Sequence, residues 1–281
     1  MKKYFLIILV ALALIAFGIW YYWDKSKENI DLDLPPAQTY KDFKNLAEQN
    51  PTNNESVDNF QPEELIVNNN TNEVVEQPEK PDLTDNQNQN PLPVTSINLN
   101  VPFTSQAPTA NWEQPFQDAC EEAAILMADY YVQGKSMPSV TEVENILKDM
   151  IDWQSQNMDG EIDMDISELA YFAKNYLGYE KYEIVEDLSV EKIISYLNRG
   201  LPLVVPANGK LLDNPNFSNG GPVYHMLVIK GYKDGHFITN DPGTRLGHNF
   251  IYTFENMLYS IADWDAKTGQ ATGPKRALVI Y

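Results

Sequence analysis

Val223-Tyr224-His225-Met226-Leu227-Val228-Ile229-Lys230-Gly231-Tyr232-Lys233-Asp234-Gly235-His236-Phe237-Ile238-Thr239-Asn240-Asp241-Pro242 is the stretch on which the fold turns. An apolar run, an Asp-Gly pair and a second short apolar run read as a β-hairpin, because Asp-Gly accepts the positive φ of a two-residue turn. Antiparallel strands are therefore predicted at 223–232 and 236–240. Folding the second strand back on the first carries Asp241, just past its end, toward His225 near the start of the other. An imidazole inside an apolar strand costs free energy unless it has a partner, and the hairpin brings one. Asp241-Pro242-Gly243 is also strong turn chemistry, and a turn there leaves the carboxylate available to the ring.

Outward from this hairpin, further strands are expected at 97–101, 201–207, 249–254 and 277–281. Asp118 is placed to N-cap a helix running to about 132, with Glu121 at the capping-box position and Ala123, Leu126, Met127 and Tyr130 on one face. More helices are predicted at 141–153, at 166–177 closed by Gly178, and at 190–199 closed by Gly200. A helix-rich half followed by an antiparallel sheet is α+β order.

Cys120 is the single cysteine of the 281 residues. One sulfur makes neither an intramolecular disulfide nor a thiolate zinc site, so any special role is reactive. A thiol in the first turn of a helix meets unpaired N–H groups and the positive end of the macrodipole, which favour the thiolate. The plainer reading is a small buried hydrophobe. Glu121 and Glu122 oppose the reactive reading unless they point away, since nearby carboxylates raise a thiol pKa. The histidines are His225, His236 and His248, and no HExxH pair occurs, so neither a metal nor a cofactor is expected. His236 follows the turn and is expected exposed; His248 sits beside Gly247 in a loop.

Forty acidic against twenty basic residues give a net charge of −20, which disfavours nucleic acid as a partner. Lys2 and Lys3 precede an apolar run at 4–23, long enough for a transmembrane helix with a cytoplasmic N-terminus and everything afterwards outside. If the run were a cleaved signal the rest would be secreted. Residues 24–96, with fifteen acidic and five basic side chains and runs such as Asn68-Asn69-Asn70, read as a disordered Asn/Gln/Pro-rich linker, with room for a short helix at 40–49. Residues 97–281 form the folded domain.

The run Val101-Pro102-Phe103-Thr104-Ser105-Gln106, Cys120 opening an Ala-rich helix that ends in Tyr130-Tyr131, the run from Tyr224-His225 to Gly231-Tyr232, and Asn240-Asp241-Pro242 together resemble the papain-like cysteine peptidases related to the bacteriocin-leader-processing (C39-like) peptidases. The resemblance spans 97–281. It implies a papain-like fold, with a helical half carrying the nucleophile and an antiparallel sheet carrying His and Asp. It also implies Cys120 as nucleophile, His225 as general base and acid, Asp241 as its orienter, and Gln106 as oxyanion donor. Gln114, six residues before Cys120, is the second choice for that donor, and Gln117 is closer still. Ala119 stands where the family commonly has Gly.

Two other features carry weaker signals. The carboxylates of Asp159, Glu161, Asp163 and Asp165 lack calcium-loop order and read as a solvated loop. The Asn- and Gly-rich loop 208–222, just ahead of His225, is long enough to form the rim or lid of a cleft. The expected function is a membrane-anchored, extracytoplasmic cysteine peptidase acting on a peptide or protein through a thioester acyl-enzyme. The alternatives are a peptidoglycan amidase or transpeptidase, and a catalytically inactive binding domain of the same fold.

Overall fold

The computed structural model describes residues 32–43, 95–158 and 163–281. The expected span at 4–23 lies outside these residues, as do most of the linker and part of the acidic loop at 159–165. Among the described residues no helix is long and apolar enough to cross a membrane.

The hairpin forms about the turn expected for it. Asp234 and Gly235 take φ of 47° and 78°, the left-handed pair a tight hairpin needs. They join β4 (His225–Lys233) to β5 (His236–Asn240). In front of them come β1 (Ser96–Asn98), β2 (Tyr182–Val185) and β3 (Leu203–Ala207); behind them come β6 (His248–Thr253), the small hairpin β7 (Trp264–Asp265) and β8 (Gln270–Ala271), and β9 (Ala277–Ile280). The main sheet runs β2-β9-β3-β4-β5-β6, with all of its neighbours antiparallel. β4 pairs with β3 along its first half and with β1 along its last three residues. Gly231 makes the second pairing possible: a Cβ there would lie 2.2 Å from the Ile97 carbonyl oxygen.

Against β4 lies α1 (Cys120–Val132), whose residues from Cys120 to Asp129 are all buried. A helix enclosed on every side is a core element, so its apolar pattern has no single stripe. Beside it stand α2 (Val140–Asn157) and α3 (Ile166–Asn175); α4 (Val190–Asn198) lies against β3 and β4, and α5 (Phe254–Ser260) follows β6. Helix ends at Gly178 and Gly200 take positive φ as expected. The strand at 182–185, the helix at 254–260 and the small hairpin lie where the sequence gives no clear periodic signal. The architecture is mixed helix and antiparallel sheet.

Two expectations are corrected. Asp118 does not cap α1; it ends a 3-10 turn (Phe116–Asp118), and the N-cap is Ala119, with no side-chain hydrogen bond. Glu121 is turned into the interior, so no capping box forms. The second correction concerns the linker, because residues 32–43 pack on the domain. Gln38 bridges Leu99 in parallel, with its N–H donating to the Asn98 carbonyl at 2.8 Å. A helical turn begins at Tyr40, whose ring meets Tyr131 edge-on at 5.7 Å, and Phe43 lies over Gly200, where any Cβ would clash with its ring. Two aromatic side chains are enough to dock a segment whose overall composition is polar. Asn98 bonds the Pro35 carbonyl at 3.1 Å and also accepts from the buried Lys230 ammonium, whose pKa burial pushes down to about 7.

Candidate active site

The 3-10 turn delivers the chain to α1 with Cys120 as its first residue. The opening N–H groups of any helix have no intrahelical acceptor, and here no side chain caps them. Cys120 is 5% exposed, and its Sγ lies in hydrogen-bond contact with Glu121 Oε2 at 3.0 Å. Burial and the neighbouring Glu121 push the thiol pKa well up, while the Met226 N–H pulls the other way. Among the described residues there is no hydrogen bond between Cys120 and His225.

His225 opens β4, opposite Ala207 in β3, and is buried. Its Nε2 lies 2.8 Å from Asp241 Oδ1. A carboxylate only accepts, so Nε2 carries the proton and Nδ1 is left as the basic nitrogen. Phe217 meets the ring edge-on at 5.2 Å. Gly243 leaves room for it: a Cβ there would come within 2.8 Å of His225 Cε1. The carboxylate of Asp241 is fully buried. It accepts from Tyr252 Oη at 2.6 Å, Asn214 Nδ2 at 3.1 Å and the Gly243 N–H at 3.0 Å as well as from His225. Burial alone would raise its pKa, but His225 and these donors outweigh burial and hold it below its ordinary value.

Asn214 and Tyr252 were not anticipated. A signal for Tyr252 existed in the β5–β6 register, which pairs it with Phe237, two alternations from Asp241 on one face. Nothing local marks Asn214, which reaches the site because the 208–222 loop folds over it.

Gln106 lies at the cleft, and its N–H donates to the Pro242 carbonyl at 3.0 Å. Its amide nitrogen donates to the Phe116 and Gln117 carbonyls at 3.0 and 2.7 Å, while Oε1 is buried without a partner. In this arrangement both amide hydrogens pin the turn before Cys120, and neither is free for an oxyanion. Gln114 is exposed, bonded to Asp118, and does not line the cleft; Gln117 does. His236 is half-buried with its ring on the Asp234 carbonyl, and His248 stacks near Phe103. Neither lines the cleft.

Cys120, His225 and Gln106 thus open onto one cavity of about 640 Å³, rimmed by Trp112, Phe217, Arg245 and Leu246. The loop expected to form a rim supplies Asn216, Phe217, Ser218, Asn219, Gly221 and Pro222. A family profile, Peptidase C39-like, matches residues 98–272, well over half of the chain. The chain belongs to the Peptidase C39-like family. A crystal structure described as a C39-like peptidase from Bacillus anthracis is similar to it, at 19% identity, covering 66% of this chain and 97% of that one with a TM-score of 0.42. No curated protein matches. The C39-like match begins at Asn98 inside β1 and ends at Thr272, before β9, so it takes in the helix of Cys120, the hairpin of His225 and Asp241, and the loop between them.

Proposed function

We propose that this C39-like domain is a cysteine peptidase that cleaves an amide bond through a thioester on Cys120. The observation that carries the reading is the buried His225–Asp241 pair, 2.8 Å apart, on the same cavity as a thiol at a helix N-terminus. The Cys120 proton passes to His225 Nδ1, and the thiolate attacks the carbonyl carbon. The resulting oxyanion faces the uncapped N–H groups at the start of α1. Collapse transfers the proton from His225 to the leaving amine and leaves the thioester. Water, giving a proton to Nδ1, then attacks the thioester carbonyl, the C–S bond breaks, and the acid product leaves while the sulfur stays on Cys120 as the thiolate beside the protonated ring. Asp241 holds the ring in the Nε2–H tautomer throughout. Gln106 holds the Phe116–Asp118 turn in place. Residues 4–23 anchor the chain in the membrane with the domain outside, a reading supported by the charge and apolarity of the sequence.

One observation favours a second reading, a domain that keeps the fold without the chemistry: the thiol is bonded to Glu121 rather than to His225. Incubation with unstructured peptides and with purified muropeptides, side by side, followed by mass spectrometry of the intact chain, separates the readings. The peptidase reading expects peptide products and an acyl adduct absent from Cys120→Ala. Products from muropeptides alone would make the substrate peptidoglycan. No adduct and no products with either would leave the non-catalytic reading standing.

A further inference from the structure

The loop at 208–222 rims the cleft, yet Asn214 within it is 4% exposed and does not line the cavity. Both ends of its amide are engaged. Nδ2 donates to Asp241 Oδ2 at 3.1 Å and to Tyr252 Oη at 2.8 Å, while Oδ1 accepts the Asn216 N–H at 3.0 Å. These partners fix the sense of the amide, because an oxygen in place of Nδ2 would face a carboxylate that only accepts. We propose that Asn214 is a positioning residue for the His225–Asp241 pair, tying the pair to the rim loop together with Phe217 of the same turn.

The Asp241 carboxylate divides its two oxygens between different tasks. Oδ2 accepts from Asn214 and from Tyr252 Oη, the latter at 2.6 Å, so these three groups close a triangle of hydrogen bonds. Oδ1 is left for His225 Nε2 at 2.8 Å and the Gly243 N–H at 3.0 Å. Holding Oδ2 fixes the plane of the carboxylate, and with it the direction in which Oδ1 meets the ring. The same turn reaches the ring itself. The Phe217 N–H donates to the Asn214 carbonyl at 3.0 Å, and the Phe217 ring meets His225 edge-on at 5.2 Å. A Cβ on Gly243 would lie 2.8 Å from both Phe217 Cε1 and His225 Cε1, so both rings close on that glycine. One short turn therefore holds the carboxylate through Asn214 and the imidazole through Phe217.

The loop has other attachments that do not pass through Asn214. The Asn208 N–H donates to the Ser260 carbonyl at 2.8 Å, and Asn256 Nδ2 donates to the Leu211 carbonyl at 2.9 Å. Removing the Asn214 amide should therefore leave the loop joined to the domain while freeing Asp241 Oδ2 from one of its two side-chain donors. Asn216, Phe217, Ser218 and Asn219 line the cavity, so the segment that would meet a substrate is the one that steadies the pair.

This inference rests on the proposed peptidase, yet its first readout needs no substrate. Exchange of the His225 Nε2–H with water is followed by NMR in the full-length protein carrying isotope-labelled histidine, for wild type, Asn214→Ala, Asn214→Asp and Phe217→Leu. Exchange is expected to be about tenfold faster in Asn214→Ala, the size of a hydrogen bond to a charged group. It should be faster still in Asn214→Asp, which keeps the shape but sets a second carboxylate against Asp241. Phe217→Leu should also speed exchange, by a smaller factor. With a peptide substrate, Asn214→Ala should lower kcat about tenfold and leave KM about unchanged. Wild-type exchange in Asn214→Asp would overturn the proposal, as would a faster exchange shared equally by the backbone N–H groups of β4, which would make Asn214 merely structural. So would a rise in KM with kcat unchanged. Should neither Asn214 variant fold, Phe217→Leu, at the half-buried end of the turn, decides: exchange there at the wild-type rate overturns the proposal. The expected exchange pattern in a protein that cleaves no peptide would instead count against the peptidase reading alone.

Discussion

On the sheet wall of the cleft, Asp241 is fully buried and receives hydrogen bonds from His225, Tyr252, Asn214 and the Gly243 N–H. On the helix wall, Glu121 and Glu122 are buried to the same degree, but Glu122 Oε2 and the nearby Gln106 Oε1 lack partners. His225 and the other donors on the sheet wall hold the Asp241 pKa below its ordinary value, whereas burial pushes those of Glu121 and Glu122 up, Glu122 to about 8. Burial is common to all three groups, so burial alone does not decide the charge. Donors do, and on the sheet wall four of them converge on Asp241.

The change expected to matter most breaks the sheet wall. Asp241→Ala removes the acceptor that sets the tautomer of His225, and, on the peptidase reading proposed above, peptide turnover should fall by about 10³-fold or more. Comparison of kcat/KM with circular dichroism of the same sample checks it.

The next sharpens the contrast through pH. Glu122 has a folded pKa above its ordinary 4.5, so its contribution is fully present below about 4.5 and is lost as pH rises through about 8. Glu122→Gln should remove this loss, stabilising the domain on the order of 3 kcal/mol at alkaline pH and little at acid pH. Asp241 has the opposite sign. Its folded pKa lies below 3.8, so its contribution is present above that value and is lost as pH falls through the folded pKa. Urea unfolding as a function of pH would show the two slopes, and a flat profile for wild type would contradict both assignments.

Tyr252→Phe deletes one donor to Asp241 while keeping the ring. It should cost about 1.5 to 3 kcal/mol at neutral pH, less in acid where Asp241 is protonated. Thermal melts at two pH values measure this. The smallest effect is expected for Gln114→Ala, an exposed pair with Asp118 outside the cleft, which should change stability by less than about 0.5 kcal/mol and activity hardly at all. A large loss of activity there would return Gln114 to the site.

Much of this arrangement was legible in the residues, and the legible parts share a local cause. The β4–β5 hairpin follows from Asp234-Gly235, whose backbone preference needs no tertiary partner, and the approach of Asp241 to His225 follows from the hairpin. The ends of α3 and α4 follow from Gly178 and Gly200 for the same reason. The short strand at 182–185 escaped notice because it is an edge strand with Tyr182 exposed and no strong alternation.

Where the reading failed, distant contacts had overruled local preference. Glu121 has the spacing of a capping residue, yet the Met164 N–H and the Cys120 sulfur, 43 positions and one position away, take its oxygens. Gln106 has the position of an oxyanion donor, yet the Phe116 and Gln117 carbonyls hold its amide. Residues 32–43 share the composition of an unfolded tether, yet Tyr40 and Phe43 find Tyr131 and Gly200 on the domain. The sequence alone determined the family, the hairpin and the place of Cys120 at a helix start, because these depend on motif order, turn chemistry and helix-forming residues within a short stretch. Only the tertiary structure decided which carboxyl pKa values are lowered or raised and which amide hydrogens are held, because charge and hydrogen-bond supply in a buried site depend on chain segments that meet only once the fold has formed.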